Sequence, residues 1–597
     1  MNGPRILVSI KQVSQADTTE FDPSGVMIRH PEEQELNPFC RRAVTFGVEL
    51  ARSHSGTCSV VSMGPPSAAE ILREALAIGA DEAYLLSDPS FAGADTLVTA
   101  EVLEHFIRTR ELAYDLILTG RFAIDANTGL VGAQLAELLD MPFAGAAKQL
   151  EWVANSLLLS TELDDGIRSV QVKLPAVIAV AERICAPAKP SAEEIAAIPT
   201  ENVQRLDRND LHFSVDKPKS RTTVDEIQHE SLQRLNIVVD GSHELDKALA
   251  FLADQHHRTT PSNLVPAITT LPMQHAAYLC DPEQPDLNRH FVSYLLSGDQ
   301  SNACQLCVLH TESDLAGVSK SFPGVDHLVR LKGSSMEDDL VPVIADWLRA
   351  HPQELLVAPA TSFGREIGAR LGVLLDAGVL TDLTRLEIDH LPQITGWKTV
   401  GSVASVAKVS STTAMGIVLL RPGVPTHASR LRPSTPSQTT LVVPERGRVV
   451  LTDPPVPDPI FNFANAPIIF GVGAGVNAYE IDDVFRLAQS VKAELGCTRK
   501  IADRGLMPRS RQIGITGRSV SPALYIGIGT RGSHNHLAGV RGASTIVNLT
   551  LESAVGDTGV DLTVIGDWHD TLPPIVEYLR SITDNAACKQ PEDPLLH

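Results

Sequence analysis

Residues 115–140 read DLILTGRFAIDANTGLVGAQLAELLD, and residues 354–376 read ELLVAPATSFGREIGARLGVLLD. Each opens on an unbroken apolar run, the pattern of a strand covered on both faces. Each then crosses a polar loop and enters a helix-period segment with small residues on its packing side. The helical ends match directly, GAQLAELLD (Gly132–Asp140) beside GARLGVLLD (Gly368–Asp376). Strand, loop and helix in the same order, twice, point to duplication of one α/β domain.

The pattern extends outward from the first copy. Ile6–Ile10, Thr57–Ser62, Glu82–Leu86 and Asp115–Leu118 read as buried strands, with amphipathic helices over Pro38–Ser53, Ser67–Ile78 and Thr96–Arg108 between them. Such alternation predicts a doubly wound, mostly parallel sheet, whose ligands bind at the carboxyl ends of the strands. Composition then suggests boundaries. Residues 1–200 form the first α/β domain. Residues 201–234 read as a linker or arm, after the Pro/Ala-rich Ala186–Pro199. Residues 235–429 form the second α/β domain, beginning at Leu235–Val239 and carrying an insertion over Thr259–Asn302, where no clean periodicity is visible. Residues 430–464, with PSTPS and DPPVPDP, read as a second linker, and 465–597 as a last domain starting at Ala466–Phe470.

A chain of 597 residues exceeds a single hydrophobic core. Its net charge of −22 argues against a nucleic-acid binder, because a polyanion would be repelled. No apolar run reaches the ~18–20 residues of a membrane span. The N-terminus enters a strand pattern without an apolar signal region. Eight scattered cysteines fit a reducing, cytoplasmic setting. Cys304 and Cys307 have redox-motif spacing, but they lie in a strand-like run without a second pair and read as buried strand residues.

Chemistry concentrates in the last domain. Residues 497–539 read CTRKIADRGLMPRSRQIGITGRSVSPALYIGIGTRGSHNHLAG. A hydroxyl-basic pair (Thr498, Arg499) is followed by a polar turn at Gly514–Gly517. A strand over Ala523–Ile528 then runs into a Gly-rich loop ending at His534-Asn535-His536. Glycines after a buried strand let the backbone approach a ligand, and N–H groups there hold phosphate oxygens. Arg, Thr and His are donors suited to a ring that carries negative charge. The His-x-His pair has no nearby third ligand, so no metal site is expected.

This ordered set resembles the flavin-binding segment of the alpha subunit of electron transfer flavoproteins. There a Ser/Thr-Arg pair precedes Q-x-G-x-T-G and a strand ending in G-x-S-G-x-x-Q-H-x-x-G. The first domain resembles the beta subunit of that family, through IKQV (Ile10–Val13), LNPFC (Leu36–Cys40), SMGPPSAAEILREALAIGAD (Ser62–Asp81), GADTLVTA (Gly93–Ala100) and GRFAIDANTGLVG (Gly120–Gly132). The middle region resembles the alpha subunit's first domain, so the chain looks like a beta–alpha fusion.

The resemblance implies an FAD site formed by Thr498, Arg499, Ile513, Gly514, Ile515, Thr516, Arg531, Gly532, Ser533, His534, Asn535, His536, Asp561 and Leu562. Arg499, Thr516 and His536 would lie nearest the reacting ring. Arg499 is open to reading as a surface arginine, Thr516 as a turn cap, and Asp561 as a strand-start residue. The resemblance also implies an adenine-nucleotide site, for AMP or a second FAD, at Ser9, Asn37, Pro38, Phe39, Cys40, Met63, Asp125, Asn127, Thr128, Gly129, Leu130 and Val131. Helix capping by Asp125, Asn127 and Thr128 is compatible with that role.

The chain departs from the family pattern at several points. Ile515 replaces a glutamine, Arg531–His536 (RGSHNH) replaces S-G-x-x-Q-H, and Gly471–Gly475 lacks the family's arginine. The partner-docking loop, Cys185–Ile195, has Ala192 in place of an apolar anchor and lacks the following lysines. The resemblance implies a soluble FAD-containing carrier passing electrons from a flavin-dependent dehydrogenase to an acceptor, and the departures imply a specialised dehydrogenase. The rivals are an electron-bifurcating, NADH-oxidising protein with two FAD and a non-redox nucleotide-binding protein.

Overall fold

The computed structural model describes residues 3–14, 34–110, 113–164, 166–213, 219–229, 234–258, 274–298, 304–312, 315–390, 393–400, 405–422, 435–457, 463, 466–508, 511–514, 518, 520, 522–537, 539–540, 543–551 and 559–587. The chain divides into two compact units. One comprises Met1–Glu230 and Val265–Val456, the other Ser231–Leu264 and Pro457–His597. Among the described residues no helix is long and apolar enough to cross a membrane.

The first unit contains the duplicated domain. In the first copy the parallel strands lie in the order Glu82–Leu86, Thr57–Met63, Arg5–Ser9, Leu116–Gly120, Ala176–Val180, Phe143–Val153. In the second copy the order is His327–Gly333, Gln305–His310, His275–Leu279, Leu355–Pro359, Gly416–Leu420, Gly378–Leu383. Strand for strand, the two orders are the same permutation. Each central strand is close to wholly apolar, as helices on both faces require (Ile6, Leu7 and Val8 are fully buried; so is all of Leu355–Pro359).

The two supposed linkers are instead strands that tie the copies together. Beyond the first copy, Val203–Leu206 extends that copy's own sheet beside Glu82–Leu86, and Thr222–His229 crosses to pair with Ser405–Ser411 of the second. Beyond the second copy, Ser437–Val443 pairs with His327–Gly333, and Val449–Pro457 crosses to the hairpin edge of the first at Gly166–Lys173. Each copy thus gives its last strand to the other, closing edges that would otherwise be open. Val449–Pro457 is exposed along nearly its whole length and Ser437–Val443 along most of it, so no buried apolar run marks them.

Two further expectations are corrected. Ile237–Asp240, read as the start of the second α/β domain, belongs to the second unit, where it pairs with Leu562–Ile565. Within the supposed insertion, His275–Leu279 is a central strand and Pro285–Gly298 a covering helix. The strand spans only five residues and the helix opens on polar ones, which hid both periods.

Helix Val131–Leu138 of the first copy packs on Ser362–Leu374 of the second. At their junction Arg370 is fully buried. It donates to Glu137 at 2.7 Å and to Asp338 at 3.0 Å, with Glu366 3.7 Å away. Arg448 also holds Asp338, at 2.7 Å. Burial pushes the Glu366 carboxyl well above its usual range, and Glu337 adds to the effect. The second unit has a six-stranded parallel sheet in the order Ile237–Asp240, Leu562–Ile565, Thr545–Thr550, Leu524–Ile528, Ile468–Val472, Glu494–Cys497.

Candidate functional site

In the second unit the chain leaves Ile468–Val472 toward one side of the sheet and leaves Leu524–Ile528 toward the other. Adjacent strands that part in this way leave a crevice at their carboxyl ends. The ends are level: Val472 pairs with both Ile528 and Cys497. Gly473 N–H donates to Ile528 C=O at 2.8 Å, and Thr498 N–H to Val472 C=O at 2.9 Å. Gly529 and Gly532 have φ of 60° and 62°, a region side chains disfavour. A Cβ on Gly473 would collide with Gly529, and one on Gly475 would come within 3.0 Å of it. Two loops therefore touch backbone to backbone at the crevice, and only glycine permits it.

Thr498, Arg499, Ile513, Gly514 and Arg531–Ser533 are distributed around these strand ends and the loops leaving them. Among the described residues the buried Thr498 hydroxyl has no partner, a donor and acceptor left for a ligand. Arg499 is exposed, with its side chain 61% accessible, and its Nε lies 3.2 Å from Asp503. Ile513 is core. Gly514 has φ 131°, and a Cβ on Gly539 would collide with the Gly514 backbone. Ile515 and Thr516 lie outside the described residues, as do the side chains of His534 and Asn535.

His536 is buried with both ring nitrogens engaged. Nε2 is 2.5 Å from the Tyr525 hydroxyl and Nδ1 is 3.2 Å from Ile513 C=O. Burial lowers its pKa to about 4, so the ring is neutral at pH 7. A neutral ring with Nδ1–H on the carbonyl leaves Nε2 to accept from Tyr525. Asp561 is likewise committed: it accepts from Ile546 N–H at 2.8 Å and pairs with Arg234 at 2.8 Å, and Leu562 is core. Tyr525 escaped the sequence reading because its hydroxyl reaches His536 only once strand and loop are folded together. Thr530 and Asn548, buried and hydrogen-bonded to each other, are a second pair that the sequence left unmarked.

The other site lies in the first copy, at the loop between Leu116–Gly120 and Val131–Leu138. Asn37 precedes the helix Pro38–Ser53, whose first residue Pro38 suits that position. Its amide donates to Phe122 C=O at 2.8 Å and to Cys40 Sγ at 3.2 Å. Phe39 meets Phe122 edge to face, with centroids 6.0 Å apart. The loop turns through positive φ at Asn127 (49°) and Gly129 (68°). Lys11 holds one oxygen of Asp125 at 2.7 Å, while the other, Oδ2, is buried and has no partner among the described residues. That oxygen fits a ligand donor such as a sugar hydroxyl or an amine. Ser9 and Met63 end neighbouring strands at the same edge. Leu130 is core, and Val131 begins the helix whose free N–H end favours an anion. Among the described residues no cluster of His, Cys, Asp or Glu is arranged to hold a metal.

Residues 24–206 and 308–444 match the electron transfer flavoprotein domain, so both copies of the repeat match one domain description. Residues 462–541 match the electron transfer flavoprotein FAD-binding domain. The chain is 38% identical over 214 residues to the electron transfer flavoprotein subunit beta of Thermoanaerobacterium thermosaccharolyticum, covering 36% of this chain and 81% of the relative. It is 40% identical over 176 residues to the caffeyl-CoA reductase-Etf complex subunit CarD of Acetobacterium woodii, covering 29% and 67%. Over 176 residues it is 32% identical to the acryloyl-CoA reductase electron transfer subunit gamma of Anaerotignum propionicum, covering 29% and 66%.

Proposed function

The chain belongs to the electron transfer flavoprotein family, and from that premise we propose that it carries electrons from a specialised flavin-dependent dehydrogenase to a downstream acceptor. FAD, which takes up and releases electrons on its ring, binds the second unit. The crevice at Val472, Cys497 and Ile528 carries this reading, because adjacent strands part there and the buried Thr498 hydroxyl is left to meet a ligand. In the proposal Thr498, Ile513, Gly514, Ile515, Gly532, Ser533, His534 and Asn535 line the cofactor, and Arg499, Thr516 and Arg531 face its charge. His536, neutral and tied to Tyr525, holds the loop in place. Asp561 anchors the strand edge through Arg234.

The first copy holds the adenine nucleotide, and the buried Asp125 Oδ2, the positive-φ loop and the helix end support AMP there. In the second copy only Ala360 and Thr361 separate the equivalent strand and helix. Relatives named as parts of caffeyl-CoA and acryloyl-CoA reductase systems support a dedicated redox partner. Cofactors released from the purified chain and separated by chromatography test both sites. The proposal requires one FAD and one AMP per chain. Two FAD with NADH oxidation would favour the bifurcating reading, and absence of flavin would overturn the carrier.

A further inference from the structure

The nucleotide loop of the first copy is held from outside by cations of the second copy. Lys398, on strand Gln393–Val400, is buried and donates from Nζ to Ala126 C=O at 3.0 Å. Arg365, on helix Ser362–Leu374, donates to Thr128 C=O at 3.2 Å and to the Thr381 hydroxyl at 2.9 Å. Both cations share one carboxylate neighbour. Arg365 is 3.1 Å from Asp382, which Arg421 also holds. Burial alone would raise Asp382, but Arg421, Arg365 and Lys398 more than offset it and keep it ionised.

Because a peptide is trans and planar, its C=O and N–H point in opposite directions. The Thr128 carbonyl faces Arg365, so the N–H of Gly129 in the same peptide faces away from the second copy. Gly129, at φ 68°, is also the residue where a Cβ would come within 2.7 Å of the Phe122 ring. The loop has few backbone bonds of its own, chiefly Ala126 and Asn127 N–H to Ala123 C=O. Its amide directions therefore depend on the two donors.

We propose that Lys398 and Arg365 are positioning residues that set the affinity of the first-copy loop for an anionic adenine nucleotide, so that the second copy controls binding in the first. The inference rests on the reading of that loop as a nucleotide site. The charged groups facing Lys398 are Asp382, Arg365, Arg421 and Asp125. Burial, the largest effect, lowers its pKa to about 8, with Arg365 and Arg421 adding to the shift and Asp382 and Asp125 opposing it. Its charge is thus lost at mildly alkaline pH, where AMP stays fully ionised.

The test uses the full-length chain stripped of nucleotide and titrated with AMP by calorimetry. Lys398→Met and Arg365→Met are expected to weaken AMP binding by about tenfold each, within the range of coupling between sites. Lys398→Gln keeps a donor without the charge and is expected to recover part of that loss. Wild-type affinity is expected to fall between pH 7 and pH 9, and that slope to vanish in Lys398→Gln, which a purely structural role would not produce. FAD content should stay constant throughout. If Arg365→Met does not fold, Lys398→Gln and hydrogen exchange over residues 121–130 carry the test. Wild-type binding of AMP with unchanged affinity and pH slope in the Lys398 variants would overturn the inference. A wild type that binds no AMP would overturn the nucleotide reading and the inference with it.

Discussion

The two copies of the duplicated domain share a strand order but differ at one connection. In the first copy, strand Leu116–Gly120 is followed by residues 121–130 before helix Val131–Leu138 begins. In the second, strand Leu355–Pro359 is followed by Ala360 and Thr361 alone, and helix Ser362–Leu374 starts at once. The helices still end alike, with Asp140 and Asp376 at φ 52° and 50°. Thr361 caps the second helix through Gly364 N–H at 3.2 Å, and its hydroxyl donates to the buried Asp281 at 2.6 Å. One copy keeps a ten-residue loop at this connection, while the other starts its helix at once and supplies cations to that loop. After duplication, a fold needs only one of two equivalent sites, and the spare one is free to become support.

The largest expected effect comes from breaking the lock between the copies. Arg370→Met leaves Asp338, Glu137 and Glu366 together without their shared cation. Removing one partner of a buried ionic cluster costs roughly 3–5 kcal/mol, so denaturant unfolding of the first unit should shift by that amount. A shift below about 1 kcal/mol, the scale of a surface pair, would mean the cluster does not join the copies.

Gly129→Val attacks the feature found in only one copy. Strain at positive φ costs roughly 1–3 kcal/mol, and AMP should leave the purified chain while FAD is retained. Retention of both would separate the loop from the nucleotide.

Acid stability sharpens the comparison further. Burial raises Asp281 to about 7, with Asp164 and Glu337 adding to the rise and Thr361 opposing it. The folded state then binds more protons than the unfolded state between pH 4 and 7, so this group's contribution to stability increases as pH falls through that window. His536 acts in the opposite sense. Its pKa lies at about 4 when folded, so its contribution is lost as pH falls from the ordinary histidine value toward 4. Asp281→Asn should remove roughly 4 kcal/mol of pH dependence from the first unit. His536→Gln should flatten the opposite slope in the second. Unchanged slopes in both variants would show that neither group titrates differently on folding.

The smallest effect belongs to Arg499. Its side chain is mostly exposed and already beside Asp503, so Arg499→Gln should lower the flavin potential only by the roughly 0.2–1 kcal/mol typical of an exposed charge. Potentiometric titration measures this, and an unchanged potential would remove Arg499 from the cofactor's surroundings.

The central strands of both copies were legible because strands covered on both faces must be apolar throughout, as at Leu116–Leu118 and Leu355–Val357. The glycines of the second unit were legible because close backbone approach excludes every other residue. The exchanged strands were not legible. Thr222–His229 and Val449–Pro457 bury little surface, and their partners lie far away in sequence.

Sequence alone determined the repeated strand-loop-helix unit and the glycine-rich pattern of the last domain, since these depend on local period and on which side chains a turn tolerates. Tertiary structure decided which polar groups remain free to meet a ligand. His536 and Asp561 matched a motif, yet folding commits them to Tyr525 and Arg234, whereas Thr498 and Asp125 each keep an oxygen with no partner among the described residues. Lys398 and Arg365 matched no nucleotide motif, yet folding brings them to the loop from more than two hundred residues away. A hydrogen bond is satisfied by whatever group the packing brings within 3 Å or so, and sequence spacing does not record that distance.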